Sequence, residues 1–183
     1  MLNALLLFAL AASGPTAAPS SPAPAPDARG AVPPFGPEWK RLLGDWSGAG
    51  GGAPGESVGG SSFRFDLDGH VLVRRSVSDV PAAEGRPATH HEDLLVVYPG
   101  ASPARASAVY FDNEGHVIRY EAAWSADSVV LTLESAAGAP GPRFRLTYEL
   151  PAADTMTVTF EVAAPGGDFR KYVGGALKRA SGR

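Results

Sequence analysis

The residues of this 183-residue chain best suited to chemistry are its 4 histidines and the acids beside them. His90-His91-Glu92-Asp93 sets two imidazoles next to two carboxylates, donor types that hold divalent metals. On an extended strand, neighbours point to opposite faces. His91 and Asp93 then share one face, and His90 and Glu92 share the other. A metal on either face needs further ligands from another strand, such as His70 or His116. A solvated strand start explains the same residues, and the sequence assigns no metal. His116 follows Asp112 across Asn113-Glu114-Gly115. Such a pair at a barrel mouth suits general acid–base work. Turn chemistry alone also accounts for Asp-Asn-Glu-Gly. No catalytic residue is assigned.

Arg74 and Arg75 interrupt an apolar strand, 71-VLVRRSV-77. Parity places Arg75 on the face of Val71, Val73 and Val77, the face expected to line the interior. A buried guanidinium needs an acidic partner from the protein or an anionic ligand. Other motifs are absent. The glycines of 48-GAGGGAPG-55 lack the Lys-Ser/Thr of a phosphate loop and open no helix. No serine has a nucleophile-elbow context.

The elements that must position these residues are short strands. The runs 63-FRFDL-67, 71-VLVRRSV-77, 144-FRLTYEL-150 and 156-MTVTFEV-162 alternate apolar and polar residues. Strands are expected over 44–50, 60–67, 70–79, 89–98, 105–111, 116–124, 127–134, 143–150, 154–162 and 168–178. Asp68-Gly69 predicts a two-residue hairpin turn, because both central positions of a type I′ turn favour positive φ. Asn113-Glu114-Gly115 predicts a second tight hairpin. Prolines after Pro37 fall between the strands or at their ends, where a missing N–H is tolerated. Short turns joining about ten strands favour an all-β, antiparallel up-and-down barrel over a sandwich. A barrel of that size has room for one small ligand. Before it, 38-EWKRLL-43 predicts a short N-terminal helix, with Pro37 set for its first position.

Composition narrows the partners and the compartment. The net charge is −3, and no cluster of Lys and Arg exceeds two residues, which argues against nucleic acid. With 0 cysteines, disulfides, thiolate metal sites and a thiol nucleophile are excluded. Residues 1–14, MLNALLLFALAASG, suit an export signal, with Ala9-Leu10-Ala11 as a cleavage site. No later stretch is apolar enough to span a membrane as a helix. Residues 15–37 hold eight of the 17 prolines and predict a disordered linker. The barrel domain is expected over 38–183, in a secreted or periplasmic protein.

The stretch 43-LGDWSGAGGG-52 resembles the first strand of calycin-like barrels, the lipocalin, fatty-acid-binding and nitrobindin group. In that group a Gly-x-Trp opens the first strand, here Gly44 and Trp46. The resemblance implies that a basic residue of the last strand, Lys178 or Arg179, covers the tryptophan. The stretches 69-GHVLVRR-75, 91-HEDLLVVYP-99 and 110-YFDNEGHVIRY-120 are similar to the DUF1579-like group of bacterial exported domains. Nitrobindin-like members bind haem through a late histidine. No histidine follows His116, and no cofactor is expected.

The expected function is non-catalytic binding of a small apolar or anionic molecule inside the barrel. The candidate binding residues are Trp46, Arg75, His91, Tyr110, His116 and Tyr120. A hydrolase or isomerase using His91 or His116 with a carboxylate is the alternative, as is a structural domain with a filled core. The oligomeric state is left open.

Overall fold

The computed structural model describes residues 35–48, 58–100, 102, 104–136 and 141–180. Ten antiparallel strands close into one barrel, in the order β1-β10-β9-β8-β7-β6-β5-β4-β3-β2. They are β1 Gly44–Gly48, β2 Val58–Asp66, β3 Val71–Val80, β4 Thr89–Pro99 and β5 Arg105–Asp112, then β6 Val117–Trp124, β7 Val130–Ser135, β8 Arg143–Glu149, β9 Thr155–Ala163 and β10 Arg170–Arg179. Each strand pairs with the next in sequence, and β1 pairs with β10. Closure leaves no free edge. The export signal and most of the predicted linker lie outside the described residues. Phe35, within the predicted linker, packs on Trp39 and Phe65.

The expected hairpins form. Asp68 and Gly69 have φ of 56° and 87°, and the His70 N–H donates to the Leu67 carbonyl at 3.1 Å. The second hairpin places Gly115 at φ 91°.

The expected N-terminal helix does not form. Pro37–Arg41 is a lone 3-10 turn, and no α-helix occurs among the described residues. Five residues are too few to offset helix nucleation. Gly36 supplies no side-chain cap. The Leu42 and Leu43 N–H groups instead reach back three residues, to the Trp39 and Lys40 carbonyls, both at 3.2 Å. Trp39 and Leu42, eclipsed in such a turn, are both fully buried.

That turn closes one end of the barrel. The Trp39 ring meets Trp124 edge-on at 5.8 Å. Arg41 donates to the carbonyls of Ser128 and Leu150 on the loops after β6 and β8. Beneath them Trp46, Phe63, Leu72, Val97, Leu131 and Met156 fill the interior. The Trp46 indole N–H donates to the Leu42 carbonyl at 2.7 Å. Arg179 of β10 lies over the Trp46 ring at 4.1 Å, the cover that the calycin-like pattern implied. Its Nη2 donates to the Arg41 carbonyl at 2.8 Å, which ties β10 to the plug. Gly44 has φ 117°, and a Cβ there would lie 2.8 Å from the Arg179 guanidinium, so glycine is required.

Candidate functional site

The opposite end of the barrel carries the chemistry. On β3 the interior face holds Leu72, Arg74 and Ser76, since Phe65 pairs with Leu72 and Phe63 with Arg74. This corrects the face expected for Arg75, which points outward and is exposed. Val71, Val73 and Val77 point outward with it. Branched residues favour strands on either face, so a valine stripe does not by itself mark the core.

Arg74 is thus the buried cation. It forms an ion pair with Asp93 of β4 and donates to the Tyr148 hydroxyl of β8, across the barrel. Burial alone would lower its pKa; Tyr148 and the Asp93 carboxylate outweigh it and raise the pKa above the ordinary arginine range. Burial pushes the Tyr148 hydroxyl up and keeps it neutral. Arg74 Nε is buried and has no hydrogen-bond partner.

Around this pair the interior wall of β3, β4 and β5 is polar. Ser76 pairs with Asp93, and Asp93 with Asp112. Ser78 pairs with His91 on the same face. His91 Nε2 lies 3.1 Å from the Tyr110 hydroxyl and 3.6 Å from Asp93 Oδ2. The Tyr110 hydroxyl donates to Asp112 Oδ2 at 3.3 Å. Burial first, then the nearby Asp93 and Asp112 charges, push the Tyr110 pKa up. Burial also raises Tyr120, which lies deeper on β6.

Asp112 ends β5 with a side chain only 4% exposed. Burial would raise its pKa, but the His116 N–H and ring and the Glu114 N–H hold it below the usual value. His116 Nδ1 lies 2.8 Å from Asp112 Oδ2. His90 faces outward to Asp79 and Glu92, as parity predicted.

Strand order sets β8, β9 and β10 opposite β3, β4 and β5. Apart from the Tyr148 hydroxyl, the interior positions there are apolar. Leu146 pairs with Phe160, and Phe160 with Val173. Phe144, Val158 and Phe160 are half-buried, and Val173 is 58% exposed. A Cβ at Gly175, which pairs with interior Val158, would meet nothing within 4 Å. The interior at this end reaches solvent, with one polar wall and one apolar wall.

Of the candidate residues, the structure brings His91, Tyr110 and His116 together around Asp112. Tyr120 lies deeper, Trp46 belongs to the closed end, and Arg75 lies outside. Arg74 and Tyr148 are not among the candidate binding residues. Counting pairs back from Asp68-Gly69 would have found Arg74, because that turn sets it opposite Phe63. No local signal reveals Tyr148, which is 74 residues away from Arg74.

Fold and site define a closed antiparallel β-barrel with one aromatic-packed end and one amphipathic mouth. The crystal structure of Rv2717c from M. tuberculosis is similar, with a TM-score of 0.57 and 16% identity over 80% of this chain and 99% of that one. At that identity the likeness shows the fold alone. No family model matches the chain, and no curated protein does.

Proposed function

We propose that the chain is an exported, non-catalytic barrel of the calycin-like, DUF1579-like type that binds a small molecule at its amphipathic mouth. One observation carries this reading. The interior is packed shut at one end, while at the other its apolar wall is half-exposed opposite a wall of hydrogen-bonding groups. Ligand sites combine mostly apolar surface with a few placed polar groups in this way. The ligand is an apolar body with one hydrogen-bonding end, its body on Phe144, Val158 and Phe160 and its polar end toward His91 and Tyr110. An anionic ligand is less well supported, because Asp93 already neutralises Arg74.

The 2.8 Å contact of His116 with Asp112 supports a second reading, a hydrolase or isomerase that uses this pair. Turnover of ester or enol substrates that His116→Ala abolishes would favour it. For the first reading, protein purified from its native host under native conditions should carry a co-purifying mass. Gly175→Phe fills open interior space and should abolish that mass while the melting curve stays cooperative. No ligand, and no change in Nile red binding in that variant, would sink the reading. Export is part of the proposal. N-terminal sequencing should show cleavage between residues 11 and 18, and an intact Met1 in a cytosolic fraction would refute it.

A further inference from the structure

We propose that the mouth binds one divalent transition-metal cation, zinc in type, through His91, Asp112 and Glu114, with His116 as the fourth ligand. The donor atoms of the first three lie within 4.8 Å of one another. Glu114 spans the two imidazoles, with Oε1 3.3 Å from His91 Nδ1 and Oε2 3.8 Å from His116 Nδ1. A tetrahedral ion with bonds of about 2.0–2.2 Å sets neighbouring ligand atoms roughly 3.3–3.6 Å apart. The His91–Glu114 separation meets that range, and His116, beside the three-residue group, turns toward it to complete the shell.

Charge points the same way. Among the described residues, neither Asp112 nor Glu114 has a Lys or Arg at ion-pair distance; their only ion-pair partners are histidines. Asp112 is nevertheless nearly buried, and a metal would add positive charge beside its carboxylate.

The surroundings orient the ligands. If His91 binds through Nδ1, its Nε2 faces the Tyr110 hydroxyl at 3.1 Å and Asp93 at 3.6 Å. That is the outer arrangement that fixes a metal-bound imidazole. Asp112 Oδ1 accepts the N–H groups of Glu114 and His116 at 3.0 and 2.8 Å. Asn113 ties the hairpin tip to β4: its side-chain amide donates to the His90 carbonyl, and its Oδ1 accepts the Glu92 N–H, both at 3.2 Å. Two nitrogen and two carboxylate donors suit zinc and its neighbours, and an all-oxygen shell suits calcium or magnesium.

The test is zinc titration by calorimetry on the full chain after chelator treatment. One equivalent should bind with micromolar or tighter affinity. His91→Ala, His116→Ala and Glu114→Gln should each weaken binding by more than about tenfold. Glu114 sits exposed at the hairpin tip, so its variant keeps the fold. His90→Ala, on the outer face, and Gly175→Phe, in the interior, should leave zinc affinity unchanged. Excess calcium or magnesium should not compete. Absence of binding at 100-fold excess zinc (about 100 equivalents), or binding that Glu114→Gln leaves intact and His90→Ala removes, would overturn the site. Because Gly175→Phe tests only the interior ligand, the two proposals fail separately.

Discussion

The two ends of the barrel are made by the same ten strands and filled by opposite means. At the closed end Trp39 of the 3-10 turn packs with Trp46 and Trp124, and the two guanidinium groups there, Arg41 and Arg179, donate to main-chain carbonyls, Arg179 also lying over an indole. At the mouth the guanidinium is Arg74, and its partners are a carboxylate and a hydroxyl. Apolar packing stabilises without any need for exact partners. A buried ion pair contributes little net stability over a well-packed apolar replacement. The closed end is therefore explained by folding alone, whereas the mouth carries groups that folding did not require. That contrast supports the proposal that the ligand binds at the mouth.

The sharpest way to break the comparison is at the closed end. Trp46→Ala should cost about 3–5 kcal/mol, the range for truncating a buried aromatic. It also removes the indole bond to Leu42 and the surface under Arg179. Urea unfolding measures it; a loss below about 1 kcal/mol would mean that this end does not hold the barrel shut.

Arg74→Met should cost a comparable amount, about 3–5 kcal/mol, for a different reason. The lost atoms are replaced by similar volume, but Asp93 is left buried and unpaired. Arg74→Met combined with Asp93→Leu should recover most of the loss, because both charges are then gone. Failure of the double variant to recover would show that the pair holds the interior by more than its charges. Trp46→Ala has no such rescue.

Tyr148→Phe comes next, at about 1–3 kcal/mol. It removes the hydroxyl that accepts from Arg74 and keeps the ring that meets Phe63 edge-on at 5.7 Å. A neutral effect would mean that Arg74 relies on Asp93 alone.

Much of this architecture is legible in the chain. The strand starting at Arg143 and the one starting at Thr89 fall where alternation and turn residues place them. Alternation is a local property, set by a period of two and by Gly and Pro at the turns. The plug is less legible. Pro37, Trp39 and Leu42 suit an α-helix and a 3-10 turn alike, and tertiary burial of the two side chains decides between them. The site divides in the same way. His91 with Asp93, and Asp112 with His116, follow from strand parity and a tight hairpin. The bond from Arg74 to Tyr148 spans the barrel, and contacts between opposite walls leave no trace in local periodicity.

The smallest expected effect tests the face assignment itself. Arg74 and Arg75 are adjacent and chemically identical, and β3 sends them to opposite sides of the wall. Arg75 pairs in register with Ser62 and Leu94, both on the outer face, and its side chain is exposed. Exposed substitutions away from special features change stability by less than about 0.5 kcal/mol. Arg75→Met should stay within that limit and should alter neither ligand nor zinc binding, while Arg74→Met loses several kcal/mol. Denaturant midpoints of the two variants, measured side by side, give the answer. If Arg75→Met proved the costlier change, the phase of β3 would be wrong by one residue. Asp93 and Tyr148 would then have no cation, and the polar wall of the mouth would need a different register.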